Sequence, residues 1–443
     1  MKTLHAIALT SLLSLNCTAA IFNVRDFGAT GDGSTPDTPA IQQAINACTQ
    51  NPPSQVLLPP GNYLSGTLHL KSHITLHLAD GATLTGSTNL DHYASPDPRI
   101  APPGFNYGRW HRALLLGVNI QDVHITGPGT VNGNQVHDPL GEEHMRGPHT
   151  ILLTGCNQIS LHDIQFLDSA NYAVLLLNSN DVDIQDCRFI GGWDGIHWRG
   201  TPDQWCNNVT ITDCQFYTGD DAIAGRYWNQ TLIRNCTINS SCNGIRLIGP
   251  ARNLVVQDCL FLGPGRQPHR TSGEKRRTNM LAGIVLQPGA WDATTGPLED
   301  VLLSDITMHN VASPVSIWTR PGNTANRITI QNLHATSVYR AALSVESWTD
   351  DPIQNITIRS SSFEYLGSTN PPTLEVTSPG VDPRSLPSWG LYARNAHNLT
   401  LDHVQLTLTS EDTRPPVLLE RVQNHRFHNS TATPHLATPT PLE

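Results

Sequence analysis

Two short stretches hold residues suited to acid–base chemistry: Trp193-Asp194-Gly195-Ile196-His197 and Thr218-Gly219-Asp220-Asp221-Ala222. Asp194 and Asp220 are 26 residues apart. If that distance is about one turn of a coiling chain, three carboxylates meet on one patch of surface. Carboxylates crowded together cannot all ionise at their ordinary pKa. At least one is raised, and an acid then stands beside a base. A Gly-Asp-Asp bend alone has a plainer reading, as solvated carboxylates at a turn. Its company favours a site: Trp-Asp-Gly-Ile lies one turn earlier, and Ser241-Cys242-Asn243-Gly244-Ile245-Arg246 one turn later.

The surrounding chain has to supply that turn, and its internal repeat does so. Asp181-Val182 with Cys187 is followed by Asn208-Val209 with Cys214, Gln230-Thr231 with Cys236 and Asn253-Leu254 with Cys259. The steps between positions 182, 209, 231 and 254 are 27, 22 and 23 residues. Each unit alternates apolar and polar residues with period 2, the strand period. A period near 25 built from strands predicts an all-β fold, a right-handed parallel β-helix. Coils stack about 4.8 Å apart and bury apolar columns that no single coil could bury. Such a stack accounts for one domain over residues 21–430.

Thr38 is a candidate cap, with Pro39 in the first turn, for an amphipathic helix bearing Ile41, Ala44, Ile45 and Cys48 on one face. A lone helix before a run of strands is expected to cover the open end of the solenoid. Four cysteines share one repeat position, which predicts a free, inward-facing column; the even count of eight after residue 20 leaves disulfides as the alternative. Two irregular stretches, Asn132–His149 and Gly263–Gly296, are expected as cleft walls, because loops of this length are usually functional. The second carries Arg266, Arg270, Lys275, Arg276 and Arg277, for which a solvated charge run is the equal alternative. Phe363–Pro387 is a third, turn-rich insertion, and the Thr/Pro-rich tail 431–443 is expected to be poorly ordered.

Residues 1–20 read as an export signal: Lys2, the apolar run Ile7–Leu15, and the small residues Thr18-Ala19-Ala20. A secreted or periplasmic protein is therefore expected. The net charge of −10 argues against nucleic acid and anionic membranes as partners. A monomer with no metal and no cofactor is the expectation.

The motifs resemble glycoside hydrolase family 28, the polygalacturonases and related pectin hydrolases. The resemblance runs from about Phe22 to Ile317 and includes the entry Phe22-Asn23-Val24-Arg25-Asp26-Phe27-Gly28-Ala29. Gly219-Asp220-Asp221 matches the family's Gly-Asp-Asp motif. Asp194-Gly195-Ile196 matches its Asn-Thr-Asp-Gly-Ile motif, with Gly192-Trp193 in place of Asn-Thr. The resemblance implies an exported, inverting hydrolase of a pectin-type polysaccharide. Asp220 would be the general acid, and Asp194 and Asp221 would activate water, with about 6.5–9.5 Å between acid and base.

Two departures bear on the substrate. The family's Gly-His-Gly falls at Cys242-Asn243-Gly244, and its Arg-Ile-Lys falls near Val285-Leu286-Gln287. Asn243 and Gln287 are thus expected to touch substrate without charge. Arg226, Arg246 and Arg199 are candidates to replace the lost cations. His197 stands where the family often has an acid and is a further contact candidate. Trp193, Trp198, Trp205, Trp228 and Trp291 gather near the motifs and are expected as platforms for sugar rings, Trp198 among the substrate contacts. Alternatives are a neutral or rhamnogalacturonan-type substrate, a non-catalytic carbohydrate-binding β-helix, and, with less support, a polysaccharide lyase.

Overall fold

Each coil of the chain lays down three short strands, and equivalent strands of successive coils pair in parallel. In the computed structural model, which describes residues 20–50, 54–269, 277–369 and 376–442, one coil contains Val174–Leu177, Asn180–Gln185 and Arg188–Gly191. The next contains Ile196–Arg199, Cys206–Thr212 and Gln215–Thr218, and the third Ile223–Arg226, Trp228–Arg234 and Thr237–Ser240. Val174, Ile196 and Ile223 stand one above another, as do Val182, Val209 and Thr231 on the second face and Phe189, Phe216 and Ile238 on the third. The result is the expected right-handed parallel β-helix. Residues 1–19, with nearly all of the expected signal, lie outside the described residues, as do Arg270, Lys275 and Arg276.

The polar positions of the repeat have a backbone cause. Asp181, Asn208, Gln230 and Asn253 all have positive φ, between 51° and 57°. Five residues on, Asp186, Asp213, Asn235 and Asp258 turn the corner between the second and third faces, with φ between 52° and 58°. Asn and Asp tolerate the left-handed region better than other side chains, so a chain that bends this way on every coil repeats them. Their side chains also link coils: Asn208 Nδ2 donates to Asp181 Oδ1 at 2.7 Å and Asn235 Nδ2 to Asp213 Oδ1 at 2.5 Å.

Immediately inside that corner run Cys187, Cys214, Cys236 and Cys259, all buried and free, like the other four described cysteines. Each thiol donates to the carbonyl two residues before it, at 3.1 to 3.3 Å. Beside them Phe166, Phe189 and Phe216 stack at centroid distances of 4.9 and 4.7 Å. The core is therefore a set of columns along the axis.

The helix Thr38–Cys48 lies over the strands Ala20–Asn23 and Ser54–Leu58 and buries Ala40, Ile41, Ala44, Ile45 and Cys48 at the open end. Its cap differs from expectation. Thr38 is the first helical residue, and Asp37 precedes it. The Asp37 carboxylate makes no cap and instead accepts from the backbone N–H of Thr30 at 2.7 Å and Gly31 at 3.0 Å. The tail also differs: Thr431–Thr433 joins the third face in parallel, and Thr440–Pro441 folds back antiparallel on it. Ala432 is buried there, and this anchors a segment whose composition suggested disorder. Among the described residues no helix is long and apolar enough to cross a membrane.

Candidate active site

The acidic motifs occupy a corner of the coil, between the third face and the first. Strand Gln215–Thr218 ends before Gly219, and strand Ile223–Arg226 begins after Ala222. Register places Ile196, Ile223 and Ile245 in one column, so Asp194 lies beside Asp221, and Asn243 lies on the other side of Asp221. Gly195 N–H donates to Asp221 O at 3.1 Å, and Ala222 N–H to Asn243 O at 3.0 Å. Asp220 lies beside Trp193 of the coil before, and the Asp221 N–H folds back onto the Asp220 Oδ1 at 3.0 Å. This turn is what lets two adjacent aspartates face one cleft. Gly219 is required by close approach, since a Cβ there would lie 2.5 Å from Gly192 O.

Asp194, Asp220 and Asp221 are all buried, and one oxygen of each lies within 4.8 Å of the others. This closest approach is tighter than the carboxyl separation the resemblance implies. Arg146 Nη2 donates to Asp220 Oδ2 at 3.0 Å, and His269 Nε2 stands 3.5 Å from Asp220 Oδ1. Burial pushes the Asp220 pKa up, but the His269 hydrogen bond and the Arg146 charge outweigh it and hold the group well below the carboxylate range. Asp194 goes the other way: burial, then the charges of Asp220 and Asp221, raise it well above its ordinary value. In the ligand-free corner the surroundings thus favour a proton on Asp194 over one on Asp220, although the resemblance gives the acid's role to Asp220. Asp194 and Asp220, this close, titrate as a pair. Asp221 Oδ1 accepts from the backbone N–H and Nδ2 of Asn243 at 3.0 and 2.8 Å, and Oδ2 from Arg246 Nη1 at 3.3 Å.

His197 is locked in one state. Arg199 Nε, always a donor, points at His197 Nε2 at 2.7 Å, so that nitrogen carries the lone pair. The proton is then on Nδ1, which donates to Asp194 Oδ2 at 2.7 Å. Burial, then the charge of Arg199, holds the imidazole pKa well below its usual value. His197 is thus a neutral donor that orients Asp194, with its ring stacked on Tyr172 at 4.6 Å.

The corner opens into a cleft of about 710 Å³. The three aspartates, His197, Arg226 and Arg246 line it, and so does Arg199. Asn243, Trp198 and Gln287 do not. Asn243 is fully buried and serves Asp221. Trp198 is a correction: alternation along Ile196–Arg199 turns it inward, where it is buried and stacks on Trp228 at 4.0 Å. Gln287 is fully covered. Trp193 is buried beneath the Arg146 guanidinium, and Trp205 packs outside the cleft against Tyr227 and Arg252. Of the five expected tryptophans only Trp291, half exposed, faces the cleft.

All three insertions contribute walls: Glu142, Glu143 and Arg146 from the first, His269, Arg277, Trp291 and Asp292 from the second, Val381 and Asp382 from the third. Arg266 instead packs on Tyr217. Motif reading missed the segment 104–111, which brings Trp110 and His111; Arg146 and His269 lie in the stretches expected as walls, but their pairing with Asp220 was not foreseen. These residues sit in aperiodic loops, where no repeat position marks them. Asp194, Asp220 and Asp221 have the spacing of a cation site, as do Asp220, Cys242 and His269 in the cleft wall and Asp402, His403 and His428 on the surface. At the corner, Arg146 and Arg246 already supply positive charge.

The fold with its acidic corner defines a class, the parallel β-helix proteins with a cleft on one face. The chain belongs to the rhamnogalacturonase A/epimerase, pectate lyase-like family, whose model matches residues 21–266. It is 29% identical over 216 residues to a probable polygalacturonase of Vitis vinifera, covering 44% of this chain and 42% of that protein. It is 34% identical over 122 residues to an exo-poly-alpha-D-galacturonosidase of Dickeya chrysanthemi, covering 26% of this chain and 19% of that one. These matches thus span less than half the length of either relative. The exopolygalacturonase structure of Thermotoga maritima superposes with a TM-score of 0.64 at 18% identity, over 85% of this chain and 91% of that one, which shows the shared fold. The chain stands as a divergent relative of the family 28 hydrolases.

Proposed function

We propose that this protein hydrolyses a pectin-type polysaccharide in the cleft, with Asp194, Asp220 and Asp221 as its catalytic carboxylates. The observation that carries this reading is the buried corner where oxygens of all three lie within 4.8 Å, with Asp194 pushed above and Asp220 below the ordinary carboxylate pKa. A protonated carboxyl beside ionised ones is the equipment for protonating a leaving oxygen while activating water. Asp220 delivers the proton, which reaches it as the sugar enters and displaces Arg146 and His269. Asp194 and Asp221 then hold the water that attacks the anomeric carbon, and the configuration there inverts. Export, with cleavage after Ala20, is part of the proposal; the first residue of the mature protein checks it.

The test is a screen on homogalacturonan, rhamnogalacturonan and neutral glycans, with Asp220→Asn as control and circular dichroism to verify its fold. Hydrolysis releases reducing ends without the ultraviolet absorbance of an unsaturated product, and NMR reads the first-formed anomer. Equal turnover by wild type and Asp220→Asn rules out Asp220 as the acid; an unsaturated product makes the protein a lyase.

A further inference from the structure

Far from the cleft, where the last described coils turn from the second face to the third, two imidazoles and a carboxylate meet. Asp402 and His428 pair in parallel register on neighbouring coils. His403 and Asn429 follow them at the corner, with φ of 54° and 46°. Asp186, Asp213, Asn235 and Asp258 make that turn on earlier coils, so the backbone does not call for an imidazole there. One donor atom from each of Asp402, His403 and His428 lies within 4.8 Å of the others. Both rings are exposed.

The hydrogen bonds among these groups do not close. Asp402 Oδ1 faces His403 Nδ1 at 2.8 Å and His428 Nδ1 at 2.9 Å. Asn429 Nδ2, a donor only, faces His403 Nε2 at 3.2 Å and His428 Nδ1 at 3.1 Å. His403 satisfies both partners as a neutral ring with its proton on Nδ1. His428 Nδ1 cannot. With a lone pair it meets the lone pairs of Asp402; with a proton it meets the N–H of Asn429. Turning the Asn429 amide over relieves His428, and His403 must then carry a proton on both nitrogens. A divalent cation removes the conflict by taking lone pairs from Asp402 and from Nδ1 of each ring. The remaining His403 N–H then donates to the turned amide, the outer support that metal-bound imidazoles usually have. Two imidazoles and one carboxylate suit zinc and its transition-metal neighbours, whereas magnesium and calcium prefer oxygen. Arg359, in register with Asp402 on the coil before, turns to Gln331 Oε1 at 2.9 Å and forms no ion pair with Asp402 among the described residues.

We infer that Asp402, His403 and His428 bind one divalent transition cation of the zinc class, and that the ion ties the coil of residues 417–433 to the coil before it. This departs from the expectation of a metal-free protein and does not depend on the chemistry of the cleft. The tied coil is weakly held otherwise. Val417, Leu418 and Leu419 are only partly buried, and the strand Val417–Gln423 pairs with one neighbour among the described residues. A ligand that spans both coils stabilises the folded arrangement alone.

The experiment titrates zinc chloride by calorimetry into the full protein, free of any histidine tag and stripped with EDTA. It is repeated with magnesium chloride, with His428→Gln, and with His403→Asn, which keeps a residue suited to the turn. Two controls go with it. His73→Gln breaks the exposed His73–Asp122 pair, 3.0 Å apart on another part of the surface. Asp220→Asn removes a ligand from both acidic groupings in the cleft. Circular dichroism verifies each fold. The expected result is one zinc per chain, bound at least ~10-fold more weakly after either site substitution and as tightly as in the wild type in both controls. Zinc should also slow amide hydrogen exchange across residues 417–433 in the wild type and not in His428→Gln. No zinc uptake, uptake unchanged by both site substitutions, uptake lost in Asp220→Asn instead, or equally tight magnesium overturns the site. Zinc held by these residues with exchange unchanged overturns the tie between coils.

Discussion

The same coils carry aspartates at two corners, and the two sets do opposite things. Asp186 and Asp213, between the second and third faces, take left-handed backbone conformations, φ 53° and 58°. Asp213 accepts from an asparagine one coil away. Asp194, Asp220 and Asp221, at the corner between the third and first faces, are buried. The pKa of Asp194 is raised and that of Asp220 lowered, the first by burial and its neighbouring carboxylates, the second by His269 and Arg146 against its burial. Residue type does not separate structural from chemical carboxylates in a solenoid. Burial beside other charges does, because only there does the environment decide which group keeps a proton.

That contrast breaks if amide substitution affects both corners alike. Asp194→Asn, Asp220→Asn and Asp221→Asn are each expected to lower turnover about 10²- to 10⁴-fold, while Asp186→Asn and Asp213→Asn leave it unchanged. Comparable losses at both corners would make the first set structural too. An aryl glycoside sharpens the roles within the acidic set, since its leaving group needs little protonation. Asp220→Asn should recover activity on it and Asp194→Asn should not; the reverse ranking would make Asp194 the acid.

Smaller effects follow from the neighbours. His197→Phe keeps a ring against Tyr172 but removes the N–H that orients Asp194, and turnover should fall on the order of 10-fold, short of the ~10² that a 1 Å misplacement costs. Loss of its donor raises the Asp194 pKa further, so the alkaline limb of the kcat/KM profile, which reads the ligand-free enzyme, moves to higher pH. Arg146→Met acts on the other limb. Asp220 is held ionised against its burial partly by Arg146; without that charge its pKa rises, and the acid limb moves up in pH. An unmoved acid limb would mean that Asp220 does not govern it. The smallest effect on activity belongs to the structural corner. Asp213→Val forces a β-branched residue into a left-handed turn and should cost about 1–3 kcal/mol in urea unfolding, with turnover per folded molecule unchanged.

How much of this was legible in the sequence follows from the same contrast. The β-helix was readable because its turning residues recur, and each recurrence of Asn or Asp marks a left-handed step. The acidic trio was readable because its members lie about one coil apart. The true coil there is 27 residues, so Asp194 lies beside Asp221, one residue from the partner that the spacing suggested. The error over Trp198 was avoidable, because strand alternation with Ile196 already turns it inward. Arg146, His269 and Trp110 were not legible as partners. They reach the cleft from loops without a period, and only tertiary packing sets where they end.

Arg246 donates to Val381 O at 2.5 Å and to Asp382 Oδ1 at 3.0 Å while it holds Asp221. A stretch more than 130 residues downstream therefore finishes the rim of a mouth whose three corner aspartates lie before residue 222. A protein cut back to the span that the family shares would keep its teeth and lose part of its jaw. Swapping the piece around residue 381 between related chains is thus a route to new selectivity that leaves the acids untouched.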